Sequence, residues 1–289
     1  MYIWQQWNWP DFYYDHNALA PLLAEVRLLQ GRLIGHAEHL DRETALASQI
    51  DTLVQEAIET SAIEGEVLNA SSVRSSAARR LGLENAGVEP GTPETEQLVQ
   101  MLAEAVSDVE VPLTLETLCQ WQASLFPERP LGLPKDAVIG GLRHDLPDQP
   151  MVVVSRQGRR EVIHFEAPPS DRLEAELATF LRWFNEDAGT MDGLIRAGLA
   201  HLWLVTLHPF ADGNGRVTRA VADRALAQDE RTSIRFYSMS AAIMRRRNSY
   251  YDALETTQKG IMDVTDWLYW FLDTLKEAIE RSVGRFLRT

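Results

Sequence analysis

The chain contains little cysteine and no long apolar run, and each absence excludes a kind of protein. Cys119 is the only cysteine among 289 residues, so neither an internal disulfide nor a multi-thiolate metal site can form. It lies in an amphipathic pattern over residues 115–121, which indicates a buried apolar residue rather than a catalytic thiol. The nearest candidate for a membrane span, around residues 197–207, is short and is interrupted by His201. The N-terminus also lacks the basic and then apolar pattern of a signal peptide, so we expect a cytoplasmic protein with no membrane partner.

Basic residues are scarcer than acidic ones. The 28 lysine and arginine residues face 42 aspartate and glutamate residues, which gives a formal net charge of −14. An acidic chain repels the phosphate backbone of nucleic acids, so we expect no nucleic-acid partner. The length and the hydrophobic fraction of 45% are those of a globular protein with a buried core in one or two domains.

Helical spacing of apolar residues dominates the sequence and predicts a mainly α fold. Asn17 is predicted to cap a helix that runs to about residue 40, and Asp41 is predicted to cap the next helix. Residues 192–207 are apolar on nearly every side, which is typical of a central core helix. Further helices are predicted over residues 71–83, 92–109, 114–126, 171–185, 216–228 and 240–257, and from residue 263 onwards, with a loop at residues 82–93.

Two segments depart from the helical pattern. β-Prone runs at residues 151–154 and 162–165, joined by a connection that contains Gly158, predict a small β-hairpin. Residues 1–15 hold seven aromatic side chains without a helical period. Such a segment is either an extended arm packed on the body of the protein, which we favour, or a patch that binds a partner.

The segment His208–Arg219, with the sequence HPFADGNGRVTR, concentrates groups that bind phosphate. Gly213 and Gly215 allow positive φ angles and bring backbone N–H groups close to a ligand, at the point where a helix is predicted to begin. Arg216 and Arg219 lie three positions apart and share one face of that helix. Two guanidinium groups above a cluster of N–H donors suit a polyphosphate.

The same segment offers a metal ligand and a base. Asp212 can hold Mg²⁺, which prefers one or two carboxylates together with phosphate oxygens. His208 titrates near neutrality and is a candidate general base. Taken singly, each feature has a structural explanation: a hydrogen-bonded core histidine, a turn, or a solvated basic face. Their concentration within twelve residues around one loop favours a functional site.

This segment resembles the motif His-Pro-Phe-x-Asp-Gly-Asn-Gly-Arg-x-x-Arg of the Fic family at every position. The resemblance implies a helical bundle with a hairpin flap and an enzyme that transfers AMP from ATP to a protein hydroxyl. His208 is then expected to deprotonate a serine, threonine or tyrosine hydroxyl, which attacks the α-phosphate of ATP. Phe210 is expected to point into the core and anchor the loop. An N-terminal helical region, residues 1–85, would precede a catalytic core, residues 86–289.

The resemblance also assigns the nucleotide contacts. Asp212 would bind the Mg²⁺ cofactor, and Arg216 and Arg219 would hold the β- and γ-phosphates. The α- and β-phosphates would contact Asn214 and the N–H groups of Gly213 and Gly215. Tyr250 and Tyr251 lie in a segment like the one that walls the adenine pocket, where they either stack on the base or simply pack. Gln258 stands where some family members place an asparagine that recognises adenine. The resemblance therefore does not fix which base the pocket selects.

The hairpin at residues 151–165 resembles the family's flap. By this resemblance it would add a strand to an extended segment of the target protein and bring a hydroxyl next to His208. The alternative is a purely structural hairpin.

A second, shorter motif lies in the N-terminal half. Thr60, Glu64 and Gly65 match the family's inhibitory pattern, Ser/Thr-x-x-x-Glu-Gly/Asn. Thr60 and Glu64 are four positions apart and share one helical face. The resemblance implies a charge pair between Glu64 and Arg219 that occupies the place of the γ-phosphate.

Several functions remain open at this point. The same site in other family members removes AMP or transfers other nucleotides, phosphocholine or a phosphoryl group. Modification of the chain's own hydroxyls and a homodimer are also expected possibilities. A non-enzymatic adaptor, with the aromatic arm as its binding surface, is the alternative outside enzymes, and the intact His208 and Asp212 argue against it.

Overall fold

The computed structural model describes residues 1–83, 90–107, 109–130, 133, 137–145, 149–157, 160–186, 189–232 and 235–286. Over these residues the predicted mainly α fold is confirmed, since the regular structure is nearly all helical. The helices are α1 His16–Ala37, α2 Arg42–Ile63, α3 Ala70–Arg80, α4 Pro93–Ser107, α5 Leu115–Ser124, α6 Leu173–Glu186, α7 Gly193–Leu207, α8 Asn214–Glu230, α9 Met239–Arg245, α10 Arg247–Gln258 and α11 Thr265–Phe286. Short 3₁₀ turns occur at Ile3–Gln5 and Ser170–Arg172.

Helix α7 is the centre of the core, as predicted. Every residue from Gly193 to Leu207 is buried, and Asp192 caps the helix by accepting hydrogen bonds from two backbone N–H groups of its first turn. A Cβ atom at Gly198 would lie 2.8 Å from Leu268 of α11, so glycine permits the close packing of these two helices. Helix α8 follows α7 directly and packs against it. The loop between α7 and α8 therefore rests on the most buried part of the molecule.

The predicted β-hairpin is confirmed. Strands β1 (Val152–Gln157) and β2 (Arg160–Glu166) pair in antiparallel fashion, with an irregularity between Val153 and Val154. The proposed turn residue Gly158 lies outside the described residues.

The aromatic arm packs on the body of the protein, as the favoured interpretation predicted. Trp4 donates its indole N–H to the carbonyl of Glu166 over 2.7 Å, at the end of β2. The ring of Tyr2 meets that of Phe165 edge to face, with 5.2 Å between centroids. Trp4 and Tyr2 thus attach the arm to the end of β2, whereas Trp7 is 94% exposed.

Two helix boundaries differ from the predictions. The first helix is capped by Asp15 rather than Asn17, because the Asp15 carboxylate accepts hydrogen bonds from the backbone N–H groups of residues 17 and 18. The single helix predicted over residues 240–257 is two helices, α9 and α10, separated at Arg246. The Arg246 guanidinium is bound by Asp273 and Glu277 of α11, so contacts with another helix stabilise this break. Part of the predicted loop, residues 84–89, lies outside the described residues.

Helix α2 begins at the predicted cap Asp41 and is fixed near its other end by a buried carboxylate. Glu56 accepts hydrogen bonds from the Ser238 hydroxyl, over 2.6 Å, and from the Ser240 backbone N–H, over 3.1 Å. These bonds join α2 to the start of α9. Within the described ranges, none of the helices combines the length and apolar character needed to cross a membrane.

Candidate active site

The loop between α7 and α8 has a conformation that specific residues make possible. His208 ends α7 in the left-handed region, with φ 49° and ψ 55°. Gly213 precedes α8 with φ 83°, and a Cβ atom there would lie 2.8 Å from Leu125. Glycine is therefore required at residue 213 for both its backbone angle and its lack of a side chain. Phe210 is fully buried between these two positions, as predicted, and anchors the loop in the core.

The side chain of Asn214 closes the loop onto itself. Its Oδ1 accepts from the backbone N–H of Phe210 over 2.9 Å, and its Nδ2 donates to the carbonyl of Phe210 over 2.8 Å. Both ends of this buried amide are thus used within the loop. Its assignment as a phosphate ligand stays a prediction, and the structure gives its side chain a part in shaping the loop.

His208 is held in one tautomer. Its Nδ1 lies 3.3 Å from the carbonyl oxygen of Val205, and because a carbonyl only accepts, Nδ1 carries the hydrogen. The lone pair is then on Nε2, the nitrogen that can act as a base. Burial lowers the pKa of His208 to about 4, with a further lowering from the charge of Arg143 and an opposing effect from Glu64. The imidazole is therefore neutral at physiological pH, and the expectation that His208 titrates near neutrality was wrong because burial disfavours the charged form.

This lowered pKa leads to a measurable expectation. We expect the His208 imidazole to remain neutral between about pH 6 and 8, where an ordinary histidine changes charge. Because the folded-state pKa is about 4, protonation should begin only in more acidic solution. A pH titration followed by nitrogen-15 NMR of the imidazole would measure the pKa of His208. The His208 resonances are assigned by their loss in His208→Ala. A midpoint near the ordinary value for histidine would contradict the expectation.

The two arginines of the motif are both buried and are bound by the last turn of α2 and the turn that follows it. Arg219 donates to the Thr60 hydroxyl over 2.8 Å, to the Thr60 carbonyl over 2.9 Å and to Glu64 Oε1 over 2.8 Å. Arg216 donates to Glu66 Oε2 over 2.6 Å. Arg219 Nη1 and Arg216 Nε are buried yet find no hydrogen-bond partner in the part of the chain that the structure describes. Buried guanidinium donors of this kind are ready for an anion.

The Glu64 carboxylate lies directly over the first turn of α8. A Cβ atom at Gly215 would be 2.1 Å from Glu64 Oε1 and 3.1 Å from Arg219 Nη1. Partial burial would raise the pKa of Glu64, but the charge and hydrogen bond of Arg219 hold it below its ordinary value. Gly65 follows with φ 87°, which allows the chain to turn away. A carboxylate thus stands where a helix N-terminus favours an anion.

Asp212 is exposed at the edge of this site. Its Oδ1 accepts from the backbone N–H of Gly213 over 2.6 Å. Together with Arg216 it borders a cavity of about 240 Å³ that also reaches Ser61 and Glu66. The described residues contain no group of three or more potential metal-binding side chains. A single accessible carboxylate nevertheless fits Mg²⁺, which takes its remaining ligands from phosphates and water when it binds a nucleotide.

The two tyrosines assigned to the adenine pocket lie near the end of α2. Tyr250 is buried, and its hydroxyl is 2.9 Å from Nε2 of His201. Tyr251 donates its hydroxyl to the carbonyl of Ile63 over 3.2 Å, and Arg247 donates to the same carbonyl over 2.8 Å. Contact of either tyrosine with adenine stays a prediction.

Two residues at the site were not found by sequence reasoning. Glu66, the partner of Arg216, lies only two positions after Glu64. Its negative charge, so close to the inhibitory pattern, was the feature from which a pairing with an arginine of the motif could have been predicted. Arg143 donates to main-chain carbonyls around His208 and stands alone in a Gly- and Pro-rich segment that carries no recognisable pattern.

Two regions of the chain match known protein families. Residues 112–226 match the Fic/DOC family, and residues 2–83 match a domain of unknown function, DUF4172. Protein adenylyltransferase Fic of Drosophila yakuba is 30% identical over 118 residues, which cover 40% of this chain and 22% of that protein. The Drosophila melanogaster protein of the same name is 29% identical over the same shares. The match therefore spans less than a quarter of these curated relatives.

Solved structures share the fold. A Fic family protein from Desulfovibrio desulfuricans G20 superposes with a TM-score of 0.69 at 24% identity, over 94% of this chain and 76% of that one. A Fic domain containing signaling protein from Bacteroides thetaiotaomicron gives 0.63 at 16% identity, over 94% and 96%. Residues 112–226 thus match the Fic/DOC family, and the histidine, the glycines and both arginines of the loop lie within this match in the arrangement described above.

Proposed function

We propose that this chain transfers AMP from ATP to a serine, threonine or tyrosine hydroxyl of a protein, and that Glu64 restrains this activity. The proposal depends chiefly on one observation. The Glu64 carboxylate, the unpartnered Nη1 of Arg219 and the backbone of Gly215 converge on one place. Donors arranged in this way suit a phosphate group, and the Glu64 carboxylate occupies the position that the phosphate would take.

The proposed reaction uses the chain's residues as follows. Arg216 and Arg219 bind the β- and γ-phosphates, and the N–H groups at Gly213 and Gly215 face the phosphates nearer the ribose. Nε2 of His208 takes the proton of the target hydroxyl, and the oxygen attacks the α-phosphorus. The bond from the α-phosphorus to the bridging oxygen breaks, and pyrophosphate leaves. When bound at Asp212, Mg²⁺ supplies positive charge that stabilises the phosphates and the departing pyrophosphate.

Restraint follows from competition for Arg219. While Glu64 binds this guanidinium, the γ-phosphate has lost one of its two arginines, and ATP lacks the orientation that in-line attack requires. The Glu64 side chain is still 31% exposed, so it is not sealed in the core and can leave without unfolding the molecule. Displacement of Glu64 would therefore switch the site between two states.

The hairpin offers a surface for the target protein. Val154 and Ile163 face each other across the two strands and are 41% and 53% exposed. An extended segment of the target can pair with a strand edge and cover these side chains. The partner is therefore a protein that presents a hydroxyl in an extended segment, and ATP is the nucleotide.

The test compares two positions of the radiolabel. Wild type and Glu64→Gly are incubated with Mg²⁺ and ATP labelled at either the α- or the γ-phosphate, and label bound to denatured protein, including the chain itself, is counted. AMP transfer predicts incorporation from α-labelled ATP only. Incorporation from γ-labelled ATP alone would replace AMP transfer by phosphoryl transfer. Absence of label from both, with ATP binding intact and candidate targets present, would contradict the proposed reaction.

A further inference from the structure

We propose that Arg143 is a positioning residue that holds His208 in its left-handed conformation, and this rests on the proposed function of His208 as the base. Arg143 lies far from the Fic motif in the sequence. Its side chain is nevertheless buried beneath the loop that carries His208, with an exposed fraction of 2%.

The guanidinium and the backbone of Arg143 bind three consecutive residues, the last of α7 and the first two of the loop. Nε donates to the carbonyl of His208 over 2.7 Å, and Nη2 lies 3.4 Å from the carbonyl of Leu207. The backbone N–H of Arg143 donates to the carbonyl of Pro209 over 2.9 Å. Arg143 thus donates to the carbonyl of His208 and to the carbonyls of the residues before and after it.

The same side chain joins this loop to the hairpin. Nη2 donates to the carbonyl of Pro168 over 2.5 Å, just after β2, and Nη1 pairs with the carboxylate of Asp145. The planar guanidinium therefore fixes the spacing between the base and the strand proposed to hold the target. A lysine ammonium is a point charge on a flexible stem and cannot hold these groups in one plane.

His208 needs such support for two reasons. A non-glycine residue in the left-handed region is strained, so the conformation persists only when its surroundings determine it. The last carbonyls of a helix also have no partner within the helix, and Pro209 has no N–H to offer. Arg143 supplies donors at this point, and without them the imidazole would lose its fixed direction towards the substrate.

Arg143 also sets the electrostatic environment of the histidine. Its charge opposes protonation of His208, whereas the charge of Glu64 favours it. Burial lowers the pKa of Arg143 itself to about 10, so the guanidinium remains charged at neutral pH. Removing the positive charge is therefore expected to raise the pKa of His208, and a lysine at residue 143 should preserve much of the original value.

The test uses Arg143→Lys and Arg143→Gln in the Glu64→Gly protein, with Arg196→Lys as the matched control. Arg196 is another buried arginine of the core, and it donates to the main-chain carbonyls of Phe184 and Ala225. For the two Arg143 variants we expect kcat to fall by about 100-fold while the KM for ATP changes little, because the base is misplaced. Arg143→Gln should also raise the pKa of His208 measured by NMR.

The control separates positioning from general stability. Arg196→Lys is expected to lower the melting temperature as much as Arg143→Lys does, yet to keep kcat within a few-fold of the Glu64→Gly parent. Equal losses of kcat in Arg143→Lys and Arg196→Lys, with the pKa of His208 unchanged in Arg143→Gln, would overturn the proposal. If Arg143→Gln does not fold, the kcat of Arg143→Lys decides. If the Glu64→Gly parent transfers no AMP, the proposed function fails. If the parent transfers AMP and Arg143→Lys keeps the kcat of the parent, the role of Arg143 alone is overturned.

Discussion

Replacing Glu64 with glycine is expected to raise the initial rate of AMP transfer by roughly ten- to a hundredfold, because a hydrogen bond to a charged group stabilises by about 1.5–3 kcal/mol. The substitution removes the carboxylate that lies against Gly215 and pairs with Arg219. Arg219 then has two donors available for the γ-phosphate. The rate of label incorporation from α-labelled ATP measures the effect, and Glu64→Ala repeats it without adding a second glycine before Gly65.

The matched control for Glu64 is Glu66. This residue lies in the same turn and also pairs with an arginine of the motif, Arg216, but its side chain is 47% exposed. A half-exposed ion pair stabilises by about 0–1 kcal/mol, so Glu66→Gly should change the rate by no more than about fivefold. Equal stimulation by Glu64→Gly and Glu66→Gly would show that loss of negative charge alone is responsible. No stimulation by Glu64→Gly would mean that Glu64 does not restrain the site.

The second large effect is expected from His208→Ala in the Glu64→Gly protein. Loss of a general base lowers a rate by about 10²–10⁴-fold, and the incorporation of AMP should fall by this factor. The substitution removes the imidazole but not the phosphate donors, so the dissociation constant for ATP, measured by calorimetry, should change little. A reduced rate accompanied by loss of ATP binding would instead indicate collapse of the loop.

His201 provides a control on the same helix. It is buried in α7, and burial lowers its pKa to about 3, but its Nε2 contacts the Tyr250 hydroxyl rather than the phosphate site. His201→Gln should therefore cost stability and leave most of the transfer rate. A loss of rate as large as that of His208→Ala would contradict the assignment of the base to His208.

The sequence predicted the core of the candidate site because its members are contiguous. Residues 208–219 form one loop and the first turns of one helix, so their spacing already determines that the histidine, the glycines and the arginines lie together. The central helix α7 was predictable for a similar reason, since an apolar character on all sides, over a stretch too short to cross a membrane, is typical of a buried core helix.

Contacts between distant segments could not be predicted in this way. The hydrogen bonds of Arg143 reach residues 25 and 65 positions further along the chain, and no local sequence pattern predicts them. The break between α9 and α10 occurs without glycine or proline, at a residue, Arg246, that forms ion pairs with α11. Local propensity says nothing about such partners, because they appear only once the helices have packed.

The attachment of the aromatic arm has a consequence for genetics. Trp4 binds the end of β2, and Glu64 reaches Arg219, so the first 83 residues of the chain contact both the hairpin and the candidate active site. Helix α1 also packs along α11. A deletion allele that removes this region would remove the contact of Trp4 with the hairpin and uncover α11 at the same time as it frees Arg219. It would not phenocopy the Glu64 point allele, and only the point allele would report on the restraint by itself.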